Sequence, residues 1–121
     1  MILVDTSVWI DHFRVGNPNL VLVLGQDVVS SHPLVIGEIA CGTISNRAEI
    51  ITRLQKLRST VVATHSEALS FIEARSLMGR GLGYIDIHLL ASVAITPDTQ
   101  LWTNDRRLEA AAMSLDVSFQ P

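Results

Sequence analysis

Four acidic residues occupy positions from which a carboxylate can do chemistry: Asp5, Glu38, Asp86 and Asp105. Asp5 directly follows the apolar run Ile2–Val4. Asp105 lies three residues after Trp102, which ends a second apolar run. In open sheets of alternating strands and helices, ligands bind beyond the carboxyl ends of the strands, which is where both aspartates fall. The alternative is that each aspartate is simply the N-cap of the helix that follows it.

The other two acids lie within patterns typical of core-facing helices. Glu38 shares a predicted helix face with Leu34. Asp86 shares one with Leu90 and Val93, four and seven residues further on. Each carboxylate is therefore expected to point at or beside apolar surface. Because burying an unpaired carboxylate is costly, such a group is usually paired, hydrogen-bonded or bound to a metal ion.

A structural role would explain each of these acids taken singly. Glu38 could pair with an arginine, and Asp86 could accept a buried hydrogen bond from Thr103 or Ser7. The set of four is more informative, because clustered carboxylates repel one another and cannot all ionise without compensation. A hard divalent cation with oxygen ligands removes that conflict, and Mg²⁺ or Mn²⁺ fits. Zinc fits less well, since Cys41 and the four histidines show no ligand spacing.

Short apolar runs alternate with helical patterns along the whole chain. Strands are predicted near residues 2–4, 27–30, 60–62, 100–102 and 117–119, with helices between them. This alternation implies an α/β fold with a mainly parallel central sheet covered by helices on both faces. A chain of 121 residues, of which 48% are hydrophobic, fits one domain over residues 1–121 with a single core.

Charge and composition limit the classes of function and compartment. The formal net charge is -3, whereas a protein held to nucleic acid by bulk charge alone is usually basic. A bound metal ion would therefore have to help reverse the local sign. Cys41 is the only cysteine, so no internal disulfide can form and a reducing compartment is expected. With neither a signal-peptide pattern nor an apolar run of about 20 residues, the chain is expected to be cytoplasmic and not membrane-bound.

Four segments, each containing one of the acids, resemble a known family: Val4–Val8, Leu34–Ile39, Gly83–Ala91 and Leu101–Asp105. Together they resemble the PIN-domain family and, within it, the VapC-type toxins of bacterial toxin–antitoxin pairs. The resemblance implies a three-layer α/β/α sandwich and a metal-dependent endoribonuclease that leaves a 5′-phosphate and a 3′-hydroxyl. It implies that the four acids hold Mg²⁺ or Mn²⁺. Three hydroxyl residues would orient these carboxylates: Thr6, Ser7 and Thr103.

The sequence departs from the family pattern after the fourth acid. Many such toxins carry a further acid and an aromatic residue there, in the pattern Thr-x-Asp-x-Asp-Phe. Here Arg107 and Leu108 stand at those two positions. This puts a tightly held second metal ion in doubt and moves positive charge towards the site. Arg80, Arg106 and Arg107 are therefore the nearest candidates to hold an RNA backbone, the alternative being ordinary surface charge.

The expected partners follow from the same resemblance: an RNA substrate, a cognate antitoxin that silences the toxin, and a second copy in a homodimer. Aromatic residues make up only 5% of the chain, and Trp9 and Phe13 suit a core or a dimer face. Recognition by shape of a structured RNA such as a tRNA is therefore expected over base stacking.

Two other classes of protein compete with the nuclease. A receiver domain would carry a pair of acids after the first strand and a lysine late in the sheet. Here Asp5 stands alone and the only lysine is Lys56. A PIN-like module that binds partners without catalysis is the stronger alternative, because Arg107 departs from the pattern.

Overall fold

The computed structural model describes residues 1–121 as four short strands and seven helices. The strands are β1 (Ile2–Val4), β2 (Val29–Ser31), β3 (Arg58–Ser59) and β4 (Gln100–Trp102). The helices are α1 (Thr6–Val15), α2 (Pro18–Gly25), α3 (Pro33–Ala40), α4 (Arg47–Lys56), α5 (His65–Arg75), α6 (Tyr84–Ile95) and α7 (Arg106–Ser114). None of the helices is both long and apolar enough to span a bilayer.

The sheet is parallel throughout, with the strand order β3-β2-β1-β4. Ile2 of β1 aligns with Val29 on one side and with Gln100 on the other. Connections between parallel strands are right-handed in nearly all proteins, so the strand order implies that α1 to α4 lie on one face of the sheet and that α5 and α6, in the return from β3 to β4, lie on the other. The contacts of α3 with α1 and α4, and of α5 with α6, agree with this arrangement. The predicted α/β fold of three layers is confirmed.

The core is made by strands that are buried on both faces. All three residues of β1 are buried, and Leu3 and Val4 have no exposed surface. Buried parallel strands read as continuous apolar runs, which is why Ile2–Val4 shows no alternation. Helix side chains close over the sheet, among them Leu90 of α6 and Leu108 of α7.

The third strand lies two residues earlier than the sequence predicts. The Thr60 N–H still donates to the Ser31 carbonyl oxygen at 3.0 Å, but there the ladder ends, because β2 ends at Ser31. The chain then leaves the sheet and runs along α6, where the Val61 N–H donates to the Thr96 hydroxyl at 3.0 Å. Val61 and Val62 are consequently exposed instead of packed in a strand.

The predicted last strand is reduced to a single bridge. Ser118 pairs with Leu101 of β4 in parallel fashion. The Leu101 N–H donates to the Val117 carbonyl oxygen at 2.7 Å, and the Phe119 N–H donates to the Leu101 carbonyl oxygen at 2.9 Å. The segment therefore covers the edge of β4 without extending the sheet by a full strand.

Candidate active site

Asp5 is the most deeply buried of the four acids, with 6% of its surface exposed. Its Oδ2 accepts hydrogen bonds from the hydroxyls of Ser7 and Thr103, both at 2.8 Å. Each hydroxyl in turn accepts a backbone N–H, from Asn104 for Ser7 and from Asp105 for Thr103, both at 3.0 Å. This fixes the direction of all four hydrogen bonds. The loop after β4 therefore orients Asp5 and leaves its Oδ1 free.

The two strand-end aspartates differ in their relation to the helices that follow. Asp105 is the N-cap of α7, because its Oδ1 accepts from the Leu108 N–H at 2.9 Å. Asp5 precedes α1 but makes no side-chain cap hydrogen bond. The capping alternative is therefore correct for Asp105, whose exposed carboxylate keeps its second oxygen available, and wrong for Asp5.

Glu38 is exposed on α3 and reaches back towards β1. Its Oε1 accepts a hydrogen bond from the Thr6 hydroxyl at 2.8 Å. Thr6 is the chain neighbour of Asp5, so this bond draws the second acid towards the first. No arginine pairs with Glu38. The two ion pairs of the structure lie elsewhere, Arg53 with Glu49 and Arg58 with Asp27.

Asp86 is half-buried in the first turn of α6, where its Oδ2 accepts the Gly83 N–H at 3.0 Å. Burial raises the pKa of this carboxyl above its usual value, the Gly83 hydrogen bond acts in the opposite direction, and the charges of Asp5 and Asp105 raise it further. Three of the four acids are thus close enough to repel one another. The alternative partners Ser7 and Thr103 bind Asp5 instead.

The donor set suits a hard divalent cation. All the donors are carboxylate oxygens, they repel one another, and none has a basic partner. Yet no three side chains of His, Cys, Asp or Glu converge closely enough to form a ready-made cage. Closing a cage would need the exposed side chains of Glu38 and Asp105 to rotate inwards.

Two of the three candidate arginines lie against the loop that enters α6. Gly81 has φ +76°, and a methyl group there would lie 2.6 Å from Nη1 of Arg107, so the guanidinium rests on the glycine. Arg80 Nη1 donates to the Ser114 hydroxyl at 3.3 Å, which ties the same loop to α7. Arg106 is exposed at the start of α7 and makes no side-chain hydrogen bond.

Comparison with known proteins identifies the family of the chain. The model of the PIN domain family matches residues 2–113. The chain is also 48% identical to Ribonuclease VapC32 of Mycobacterium tuberculosis over 119 residues, which cover 98% of this chain and 96% of that protein, in both strain CDC 1551 / Oshkosh and strain ATCC 25618 / H37Rv. The chain belongs to the PIN-domain family. Within the family it groups with the VapC-type proteins, as its four acid-bearing segments predict.

A buried histidine in this PIN domain joins the helices that carry Glu38 and Asp86. His32 Nδ1 accepts the Leu34 N–H at 3.0 Å and so caps α3. Nε2 therefore carries the ring proton and donates to the Ser92 hydroxyl of α6 at 3.0 Å. Burial, and then repulsion from His88, lower the pKa of His32 to about 4, so it stays neutral.

Sequence reasoning missed His32. The available signal was its place between a strand and Pro33, which is an N-cap position.

Sequence reasoning also missed a cluster of three rings in this PIN domain. Tyr84, the first residue of α6, contacts His65 at the start of α5 and His88 one turn further along α6. The tyrosine hydroxyl shares a hydrogen bond with His65 Nδ1. The low aromatic content hid this cluster, since two of its three rings are imidazoles.

Proposed function

We propose that this protein is a Mg²⁺- or Mn²⁺-dependent endoribonuclease that hydrolyses RNA phosphodiester bonds, and the toxin of a type II toxin–antitoxin pair. The observation that supports this most directly is a set of four acids on separate elements without a basic partner, of which Asp5, Asp86 and Asp105 are close enough to repel one another. The hydroxyl network that fixes Asp5 supports it as well, because orienting partners of this kind are typical of metal ligands. The name of the Mycobacterium tuberculosis relative, a ribonuclease, agrees with the activity.

The chain's own residues would divide the work by their exposure. Asp5 is held by the hydroxyls of Ser7 and Thr103, so it would fix one ligand position for the metal ion. Glu38 and Asp105 are exposed and can adjust to the ion or orient an attacking water. A divalent cation would supply Lewis-acid stabilisation of the charge that develops on the phosphodiester and activation of that water.

RNA binding would rest on the arginines beside the site. Arg80 and Arg107 lie against the loop that leads to Asp86, and Arg106 is exposed next to Asp105. Their charges would bind those backbone phosphates that do not contact the metal ion. A structured RNA such as a tRNA is the proposed substrate, a cognate antitoxin the proposed inhibitor, and a cytoplasmic homodimer the proposed assembly.

The test is cleavage of total bacterial RNA by the purified, antitoxin-free protein. We expect discrete fragments with Mg²⁺ or Mn²⁺, and none with EDTA or with Asp5→Asn protein. Asp116→Asn is the matched control, because this substitution makes the same chemical change at an exposed residue in the turn after α7. Absence of cleavage by folded protein, together with no metal-dependent rise in Tm, would overturn the nuclease in favour of a binding module.

The toxin role has its own test in cells. Expression of the chain should arrest bacterial growth, and co-expression of its antitoxin should restore it. Asp5→Asn protein should leave growth unaffected. Growth arrest by the Asp5→Asn variant would show that toxicity does not depend on the acid site.

A further inference from the structure

The three-ring cluster of His65, Tyr84 and His88 is preorganised on the surface. Tyr84 is the only tyrosine of the chain, and 44% of its surface is exposed. Its ring centroid lies 5.5 Å from that of His65 at 70° and 4.6 Å from that of His88 at 84°. The tyrosine hydroxyl is hydrogen-bonded to His65. The ring is therefore fixed from two sides while much of its surface remains open to solvent.

This cluster lies at the end of α6 that carries the acid site. Tyr84 directly follows Gly83, whose N–H holds Asp86. Two residues earlier in the same loop, Gly81 lies against the Arg107 guanidinium. The segment from Gly81 to Asp86 therefore contacts a cation, holds a proposed metal ligand and carries an exposed aromatic ring.

A nucleic-acid strand presents the matching sequence of groups. Phosphates are bound by arginine, and unstacked bases are bound by aromatic side chains because every base has a π-face. Tyr84 and Asp86 lie two residues apart in the first turn of α6, so an unstacked base next to a phosphate at the acid site can turn towards Tyr84. A ring that is already immobilised loses little conformational entropy when a base stacks on it.

We propose that the three-ring cluster is a stacking platform for one nucleobase of the RNA, next to the bond that is cut. This inference rests on the proposed ribonuclease function and adds a base-binding subsite to it. Substrate selection then requires an unpaired base near the cut, as in a loop of a folded RNA, in addition to the overall shape of the molecule. Tyr84 supplies the face for stacking, and His65 holds its ring in place.

The test uses the shortest RNA fragment that the wild-type protein cleaves in Mn²⁺. Steady-state kinetics are measured for wild type, Tyr84→Leu and Tyr84→Phe, on this fragment and on versions with one abasic nucleotide at each position flanking the cut. Leu22→Ala is the control, because Leu22 is an apolar side chain that is 59% exposed on α2, a helix without any proposed site residue.

We expect Tyr84→Leu to raise KM about ten-fold with a much smaller change in kcat, since one stacked base contributes on that order. Tyr84→Phe should restore most of the lost affinity, because it retains the ring. At one flanking position, an abasic nucleotide should raise the KM of the wild type by the same factor. It should not raise the KM of Tyr84→Leu any further. Leu22→Ala should match the wild type.

Three results would overturn the platform. The first is an unchanged KM in Tyr84→Leu. The second is that Tyr84→Leu and the abasic nucleotide raise KM by factors that multiply at every flanking position, because the ring and the base would then contribute independently. The third is a loss of dimer in Tyr84→Leu that accounts for its KM, which would assign the ring to a contact between copies.

Failure of the proposed function would be distinguishable. If the wild-type protein cleaves no RNA, fluorescence anisotropy with labelled single-stranded RNA decamers still compares the variants. Weaker binding by Tyr84→Leu than by Leu22→Ala would support the platform in a non-catalytic protein. Equal binding by the two variants would overturn it.

Discussion

The substitution Asp5→Asn is expected to weaken metal binding without lowering the stability of the metal-free fold. The asparagine side chain has nearly the same shape, and its carbonyl oxygen can accept the hydroxyls of Ser7 and Thr103 as Oδ2 does at 2.8 Å. Its amide group would then replace the free Oδ1. The change also removes one of the charges that raise the pKa of Asp86. In EDTA, the variant is therefore expected to melt at or above the temperature of the wild type.

The size of the metal effect follows from the length of the chain. An ion present at 100 times its Kd stabilises the folded state by about 2.7 kcal/mol. An unfolding entropy of about 2.1 cal/mol/K per residue gives about 0.25 kcal/mol/K for 121 residues. The wild type should consequently melt about 10 °C higher in saturating Mn²⁺ than in EDTA. Asp5→Asn should lose most of this shift, because an amide nitrogen does not bind the cation.

Differential scanning calorimetry with EDTA and with Mn²⁺ measures both effects. Asp116→Asn is again the control, because Asp116 has φ +59°, a conformation that asparagine tolerates. It should show the wild-type shift. An equal Mn²⁺ shift in Asp5→Asn and wild type would refute the assignment of Asp5 as a ligand. A wild-type Tm that does not respond to Mg²⁺ or Mn²⁺ would refute the metal site as a whole.

Three further predictions concern the groups around the acids. The unfolded chain protonates His32 below about pH 6.5 and the folded chain only below about 4, so His32 should lower the free energy of unfolding by about 2 kcal/mol between pH 7 and pH 5. Urea unfolding of His32→Asn should lack this loss, and an unchanged slope would contradict it. Thr6→Val removes the hydrogen bond to Glu38 and should weaken Mn²⁺ binding, measured by calorimetry, about ten-fold. An unaltered affinity would show that Thr6 does not orient Glu38 for the ion. Gly81→Ala forces a methyl group onto Arg107 at positive φ and should destabilise by about 1 kcal/mol or more in urea, whereas wild-type stability would show that the loop adapts freely.

The topology could be predicted from the sequence because it depends on patterns along the whole chain. Alternating strand and helix patterns leave little choice beyond a parallel sheet. The exact end of β3 could not be predicted. Val61 and Val62 have the β-branched character of a strand, but β2 ends at Ser31 and offers them no partner. A single sequence shows the propensity of a segment, not the length of the strand beside it.

The four candidate acids could be selected from the sequence, and the family resemblance named the hydroxyls of Thr6, Ser7 and Thr103 as their partners. Which hydroxyl binds which acid could not be predicted. Asp5 and Asp105 follow strands, and the parallel topology brings such positions to one edge of the sheet. Glu38 binding to Thr6, by contrast, depends on the angle between α3 and α1. The contact of His65 with Tyr84 similarly depends on how the segment after β3 runs along α6.

The candidate site combines one rigid acid with two exposed acids that are held by fewer hydrogen bonds. Asp5 is buried and fixed by two hydroxyls, while Glu38 and Asp105 are exposed and each is held by a single hydrogen bond. Fixing all four carboxylates together without a cation would add their mutual repulsion to the cost of folding. Holding the exposed acids by only one hydrogen bond each avoids that cost, and a bound ion would then draw them into its coordination shell. Mn²⁺ binding is therefore expected to order the side chains of Glu38 and Asp105 while leaving that of Asp5 unmoved.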